Sequence, residues 1–164
     1  MRRLTGIALL GVLAAFTLTA ADQAHGTIVL VRHAPKQDDS SDPPLSEAGI
    51  ARAKALATLL DGAGVTAIYT TQYKRTIDTA APLAKVAGLT PVVVPGKETA
   101  ALVERLRASA PGDLIVVVGH SNTIPEILAA LGCPDEVAIA DGQYDDLFIV
   151  LPHGGKPGLL RLKY

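Results

Sequence analysis

Thr27-Ile28-Val29-Leu30-Val31-Arg32-His33 is the stretch that decides the fold of this sequence. Five consecutive β-branched or aliphatic residues show no alternation with polar ones, which is the pattern of a strand buried on both faces of a parallel sheet. Leu114-Ile115-Val116-Val117-Val118-Gly119-His120 repeats the design 87 residues later. Both runs stop abruptly at a histidine. Between and around them, helical and strand patterns alternate, as α/β domains require.

Ser46 to Leu60 predicts a helix capped by Ser46, with Ile50, Ala53, Leu56, Ala57 and Leu60 at helical spacing. Val65–Thr70 predicts a strand, Tyr73–Val86 a helix closed by Gly88, Pro91–Val94 a short strand, and Glu98–Ala108 a helix. A further helix is expected to begin near Pro125, a residue suited to a first helical position. Leu147–Leu151 and Leu159–Tyr164 flank the segment His153-Gly154-Gly155-Lys156-Pro157-Gly158 and predict an antiparallel hairpin. The expectation is an α/β three-layer sandwich: a mostly parallel central sheet, helices on both faces and a C-terminal antiparallel hairpin.

The chain has 164 residues, 49% of them apolar and 19% charged, with a net charge of −1. That is enough apolar material for one core and offers no basic excess for a nucleic-acid partner. Arg2 and Arg3, the apolar run Ile7–Leu18 and the small residues Thr19, Ala20 and Ala21 have the composition of a secretory signal. Residues 1–21 are therefore expected to be a signal peptide and 22–164 a single domain, periplasmic or secreted. The run is too short for a permanent membrane anchor. Cys133 is the sole cysteine, so no intrachain disulfide forms, and it reads as a packing residue.

In open α/β sheets, ligand crevices lie at the carboxyl ends of parallel strands. His33 and His120 each follow such an end. Thr70-Thr71-Gln72-Tyr73-Lys74-Arg75 sets Arg75 in the first turn of a helix after a third strand, and Arg32 precedes His33. Guanidinium forks match phosphoryl oxygens, a neutral imidazole is a competent nucleophile, and a second imidazole can donate to the same oxygens. The four residues Arg32, His33, Arg75 and His120 thus point to phosphoryl chemistry without a cofactor. His25, His33, His120 and His153 form no metal-binding pair, and Asp38, Asp39 and Asp42 lack the rest of a calcium loop, so no metal is expected. No Walker-type glycine loop and no Gly-x-Ser-x-Gly elbow occurs.

Val31-Arg32-His33-Ala34, Thr70 through Arg75 to Thr79-Ala80, Val118-Gly119-His120-Ser121 and Pro44-Leu45-Ser46-Glu47-Ala48-Gly49 together resemble the histidine phosphatase superfamily, the phosphoglycerate-mutase-like group, in a short form without a large cap. The resemblance implies a metal-independent phosphomonoesterase in which His33 is phosphorylated while Arg32, Arg75 and His120 hold the phosphoryl group. It also implies a small phosphorylated substrate or a phosphoprotein as partner. Ala34 stands where the family's usual first motif has glycine, which puts a glycine-only backbone angle at issue. Two alternatives share the site: a non-catalytic phospho-ligand binding domain and a phosphomutase. The span between Arg75 and His120 leaves little room for the covering elements of a mutase. For the proton donor, the family's habit favours the segment between Arg75 and His120, where Glu98 sits. Asp42 and Asp145 are the other candidates.

Overall fold

A computed structural model describes residues 25–133, 136–152 and 156–164. The expected signal peptide and His153 lie outside the described residues. Six strands form one sheet in the order β3-β2-β4-β1-β5-β6: β1 (Thr27–Arg32), β2 (Ala67–Thr70), β3 (Val92–Val93), β4 (Leu114–Gly119), β5 (Asp146–Leu151) and β6 (Gly158–Lys163). The first four strands run parallel to one another, and β5 and β6 are antiparallel to their neighbours. The expected parallel sheet and closing hairpin are both present. Among the described residues, no helix is long and apolar enough to cross a membrane.

The unbroken apolar runs of β1 and β4 serve two cores at once. Because side chains alternate along a strand, Ile28 and Leu30 enter one layer while Val29 and Val31 enter the other. The first layer is closed by α3 (Thr99–Arg107) through Leu102, Val103 and Leu106, and by α4 (Thr123–Ala130) through Ile124, Ile127 and Leu128. The second is closed by α1 (Glu47–Leu59) through Leu56 and Ala57, and by α2 (Lys74–Ala87) through Ala80 and Leu83. Each large aliphatic chain sealed in this way stabilises the fold by about 1.5–3 kcal/mol. A polar residue in either register of β1 would leave an unsatisfied group in one core.

Helix limits follow local chemistry. Ser46 caps α1, its Oγ accepting the Gly49 N–H at 3.1 Å. Gly88, with φ +67°, ends α2 in the left-handed conformation that favours glycine. Pro125 is the third residue of α4 rather than the first, and it is tolerated because first-turn amides have no intrahelical acceptor. Strand β3 keeps only two residues between Pro91 and Pro95, since proline donates nothing to a ladder.

Gly49 shows why the Ser46–Gly49 segment matters for the site. A Cβ there would overlap the carbonyl oxygen of Pro35, in the loop that follows His33. The same carbonyl accepts the Ser46 N–H at 2.9 Å, so α1 abuts that loop through bare backbone. Gly49→Ala is expected to lower stability by about 1–3 kcal/mol through this overlap, measured by urea unfolding. Unchanged stability would show that the loop can retreat freely.

Candidate active site

Parallel pairing of β1 with β4 is in strict register, Thr27 opposite Leu114 through Arg32 opposite Gly119. The strands end level, and the His33 N–H continues the ladder to Gly119 O at 2.9 Å. The two histidines therefore leave the sheet side by side, with ring centroids 5.3 Å apart and edges facing. Glycine at 119 is required by the close start of α4: a Cβ would sit 2.9 Å from Thr123 Oγ1 and 3.2 Å from Ile124 Cγ1. Thr123 Oγ1 in turn accepts the His120 N–H at 2.9 Å.

Arg32, His33, Arg75 and His120 line one cleft of about 500 Å³, together with Lys36, Tyr73 and Lys97. The sequence candidates for phosphate binding are brought together. Arg32 is buried, and its Nη1 is held by three main-chain carbonyls, Ala140 at 2.8 Å, Asp141 at 2.7 Å and Gln143 at 3.1 Å. Its guanidinium packs 4.2 Å from the Tyr144 ring, and its Nε is a buried donor without a partner. An unpaired charged donor in such a place costs free energy unless an anion completes it. The Arg75 guanidinium stacks over Tyr73 at 4.3 Å and makes no hydrogen bond among the described residues, so its fork is open.

The His33 ring is fixed as one tautomer. Its Nδ1 lies 2.9 Å from the carbonyl oxygen of Ala34, which can only accept, so Nδ1 carries the hydrogen. Nε2 then holds the lone pair. It has no partner among the described residues and is not among the buried partnerless atoms, so it is open to the cleft. Burial pushes His33 down from 6.5 to about 4; the bond to Ala34 opposes this, while Arg32, Arg75 and Lys36 deepen it. His120 is likewise pushed to about 4 by burial first, then by His33, Arg75 and Arg32. Both imidazoles are neutral at pH 7.

Ala34 needs no glycine angle. Among the described residues no non-glycine φ is positive, and the buried Ala34 donates its N–H to Thr79 Oγ1 at 2.9 Å. Thr79 thus ties the first motif to α2.

The three candidate proton donors are placed elsewhere. Glu98 is exposed and does not line the cleft, because Pro95-Gly96-Lys97 turns back on itself, with Glu98 N–H bonded to Pro95 O at 2.7 Å. Asp42 accepts the Lys74 N–H at 2.9 Å and so serves the start of α2. Asp145 pairs with Lys163 at 2.8 Å beside the β5–β6 ladder. Among the described residues, no carboxylate lines the cleft.

Sequence reasoning missed Tyr144, whose ring lies 5.9 Å from that of His33, and Arg52, whose Nε donates to Tyr144 O at 2.7 Å. It also missed the threonine pair Thr71 and Thr76 beneath His120. Only the antiparallel return of β5, which sets Leu147 opposite Val31, brings Tyr144 to the site.

The family model described as histidine phosphatase superfamily (branch 1) matches residues 28–98. Comparison with curated proteins gave no match. Among solved structures, mycobacterial glucosyl-3-phosphoglycerate phosphatase with inorganic phosphate is similar at TM-score 0.69 and 18% identity, covering 84% of this chain and 97% of that one. The protein histidine phosphatase SixA complexed with tungstate is similar at TM-score 0.65 and 17% identity, covering 84% and 96%. Phosphoserine phosphatase from Entamoeba histolytica is similar at TM-score 0.66 and 14% identity, covering 85% and 97%. The family model's match over residues 28–98 and the fold shared with these structures point the same way as the motifs.

Proposed function

We propose that residues 22–164 form one phosphatase domain, acting outside the cytoplasm, that hydrolyses phosphorylated small molecules or phosphoproteins through a phosphohistidine on His33. The observation that carries this reading is the fixed His33 tautomer, with its Nε2 lone pair open to a cleft that also holds two arginines. A binding domain would need the arginines but not a lone pair held neutral and unpartnered between them. Export rests on the composition of residues 1–21.

In the first step, the Nε2–P bond forms as the bond from phosphorus to the leaving group breaks, and its electron pair departs with that group. Arg32 Nε and the Arg75 fork take the charge on the phosphoryl oxygens. Water then attacks phosphorus, the N–P bond breaks, and its electron pair returns to Nε2. The water's proton passes to His120, and phosphate is released. No metal is needed in this scheme, because the charge is carried by guanidinium groups; a cleft lined by arginines and lysines is also a poor host for a divalent cation.

A cleft without a carboxylate favours leaving groups that depart with little or no protonation. Aryl phosphates and acyl phosphates fit this chemistry better than alkyl esters.

Phosphate release should persist in excess chelator and be abolished by His33→Gln. The kcat/KM for an acidic aryl phosphate should exceed that for an alkyl phosphate by about a hundredfold or more. Glu98→Gln should leave both within about threefold of wild type. A hundredfold loss confined to the alkyl ester would return Glu98 to the mechanism as its acid, and activity retained by His33→Gln would remove the proposed intermediate.

The neutral imidazoles can be read directly. Side-chain NMR titration, assigned with His33→Gln and His120→Gln, should give midpoints near 4 for both rings. Since both are lowered from 6.5, the unfolded chain takes up protons first as pH drops. Their contribution to stability is thus complete above pH 6.5 and is lost as pH falls through about 4. A midpoint at or above 6.5 for either ring would contradict the buried, neutral site.

A further inference from the structure

Beneath His120 lies a chain of hydroxyls. His120 Nε2 is 2.9 Å from Thr71 Oγ1, which is 2.9 Å from Thr76 Oγ1. Thr76 Oγ1 in turn lies 2.8 Å from Tyr73 O and 3.0 Å from Thr71 O. Thr71, Thr76 and His120 are all buried, with Thr76 fully so. Each hydroxyl has a single hydrogen to place. Two carbonyl oxygens face Thr76 Oγ1 at bonding distance, and without a hydrogen between them those contacts would be repulsive. The Thr76 hydrogen is therefore committed to main chain, and Thr76 Oγ1 accepts from Thr71. That spends the Thr71 hydrogen, so Thr71 Oγ1 can only accept from His120 Nε2.

We infer that Thr71 and Thr76 are positioning residues that lock His120 as the Nε2–H tautomer, making Nδ1 its only proton-exchanging atom and turning that atom to the phosphoryl group. Nδ1 has no partner among the described residues and is not among the buried partnerless atoms, so it opens to the cleft that His120 lines. The groups facing this ring are His33 and Arg32 from the end of β1, and Tyr73 and Arg75 from the start of α2. None is a carboxylate that could hold the opposite tautomer. Both threonines belong to the segment that carries Arg75, so the residues that set the guanidinium also set the proton-exchanging atom.

The catalytic consequence rests on the phosphatase reading. A phosphoryl group bound with one proton shares it with Nδ1, and after transfer Nδ1 takes the proton of the attacking water. A ring free to present Nδ1–H instead has no acceptor for that water.

Two independent readouts test this. Nitrogen-15 NMR of the ligand-free protein at pH 7 should show His120 as Nε2–H in wild type and in Thr76→Ser, but as a mixture of tautomers in Thr76→Ala. With an aryl phosphate, Thr76→Ala should lose about tenfold in kcat while KM moves less than about threefold, and Thr76→Ser should restore kcat. Thr71→Val, which also removes the acceptor, should lose at least as much. Circular dichroism and melting curves separate these effects from unfolding, and the tautomer readout in Thr76→Ser holds even if Thr76→Ala folds poorly. His120 found as Nδ1–H in a wild type that hydrolyses phosphate esters would overturn the relay alone. The Nε2–H form in a wild type that releases no phosphate would support the relay and remove the phosphatase reading.

Discussion

Level termination of two parallel strands is the constraint from which the rest of the site follows. Parallel ladders slant and are evenly spaced, so a slip of one residue would turn every side chain of β1 into the wrong core. Ile28 and Leu30 must meet α3 and α4 while Val29 and Val31 meet α1 and α2, and this double demand fixes the register against β4. With Arg32 opposite Gly119, the next residue on each strand is a histidine, and the bond from His33 N–H to Gly119 O carries the alignment past the end of the sheet. Packing in the two cores thus sets where the two histidines leave the sheet.

Around that pair, fixed positive charge and neutral imidazole sit on separate residues. The guanidinium charges are on Arg32 and Arg75, with Lys36 and Lys97 also on the cleft. Arg32 is anchored by the carbonyls of Ala140, Asp141 and Gln143, and Arg75 by the Tyr73 ring. The two imidazoles stay neutral because burial and the same arginines disfavour a further cation. Hydrogen bonding then decides which nitrogen faces the cleft: Nε2 for His33, from the carbonyl of Ala34, and Nδ1 for His120, from Thr71. The opposite orientation of two like rings has a local cause in each case. On the proposed reading, a phosphoryl dianion in the cleft would reverse the electrostatics and stabilise a proton on His120.

Much of this was legible in the sequence, for reasons that can be named. Continuous apolar runs at Thr27–Val31 and Leu114–Val118 demand burial on both faces, and strand ends in α/β sheets are where ligands bind. Arg75 was legible because it stands one residue into a helix that follows a strand. The position of Glu98 off the cleft was not legible, because it depends on a turn and not on place along the chain. The two-residue strand β3 and the turn at Pro95-Gly96-Lys97 leave Lys97, not Glu98, on the cleft. Tyr144 was invisible because the return of β5 beside β1 is a tertiary fact with no local signature. Thr71 and Thr76 read as ordinary residues of a strand end and a first helical turn, and their role emerges only from counting hydrogens in three dimensions. The glycine-angle concern at Ala34 dissolved once the backbone showed an ordinary conformation there.

The central claim is that the nucleophile is Nε2 of His33, because Ala34 O holds the hydrogen on Nδ1. The most direct measurement is to quench the enzyme during turnover of an aryl phosphate, digest it at alkaline pH and locate the phosphate by mass spectrometry, with phosphorus–nitrogen NMR on the isolated peptide to identify the bonded atom. The account predicts an acid-labile, base-stable phosphate on Nε2 of His33. Phosphate on Nδ1 of that ring, on His120, or on a hydroxyl elsewhere in the chain would contradict it.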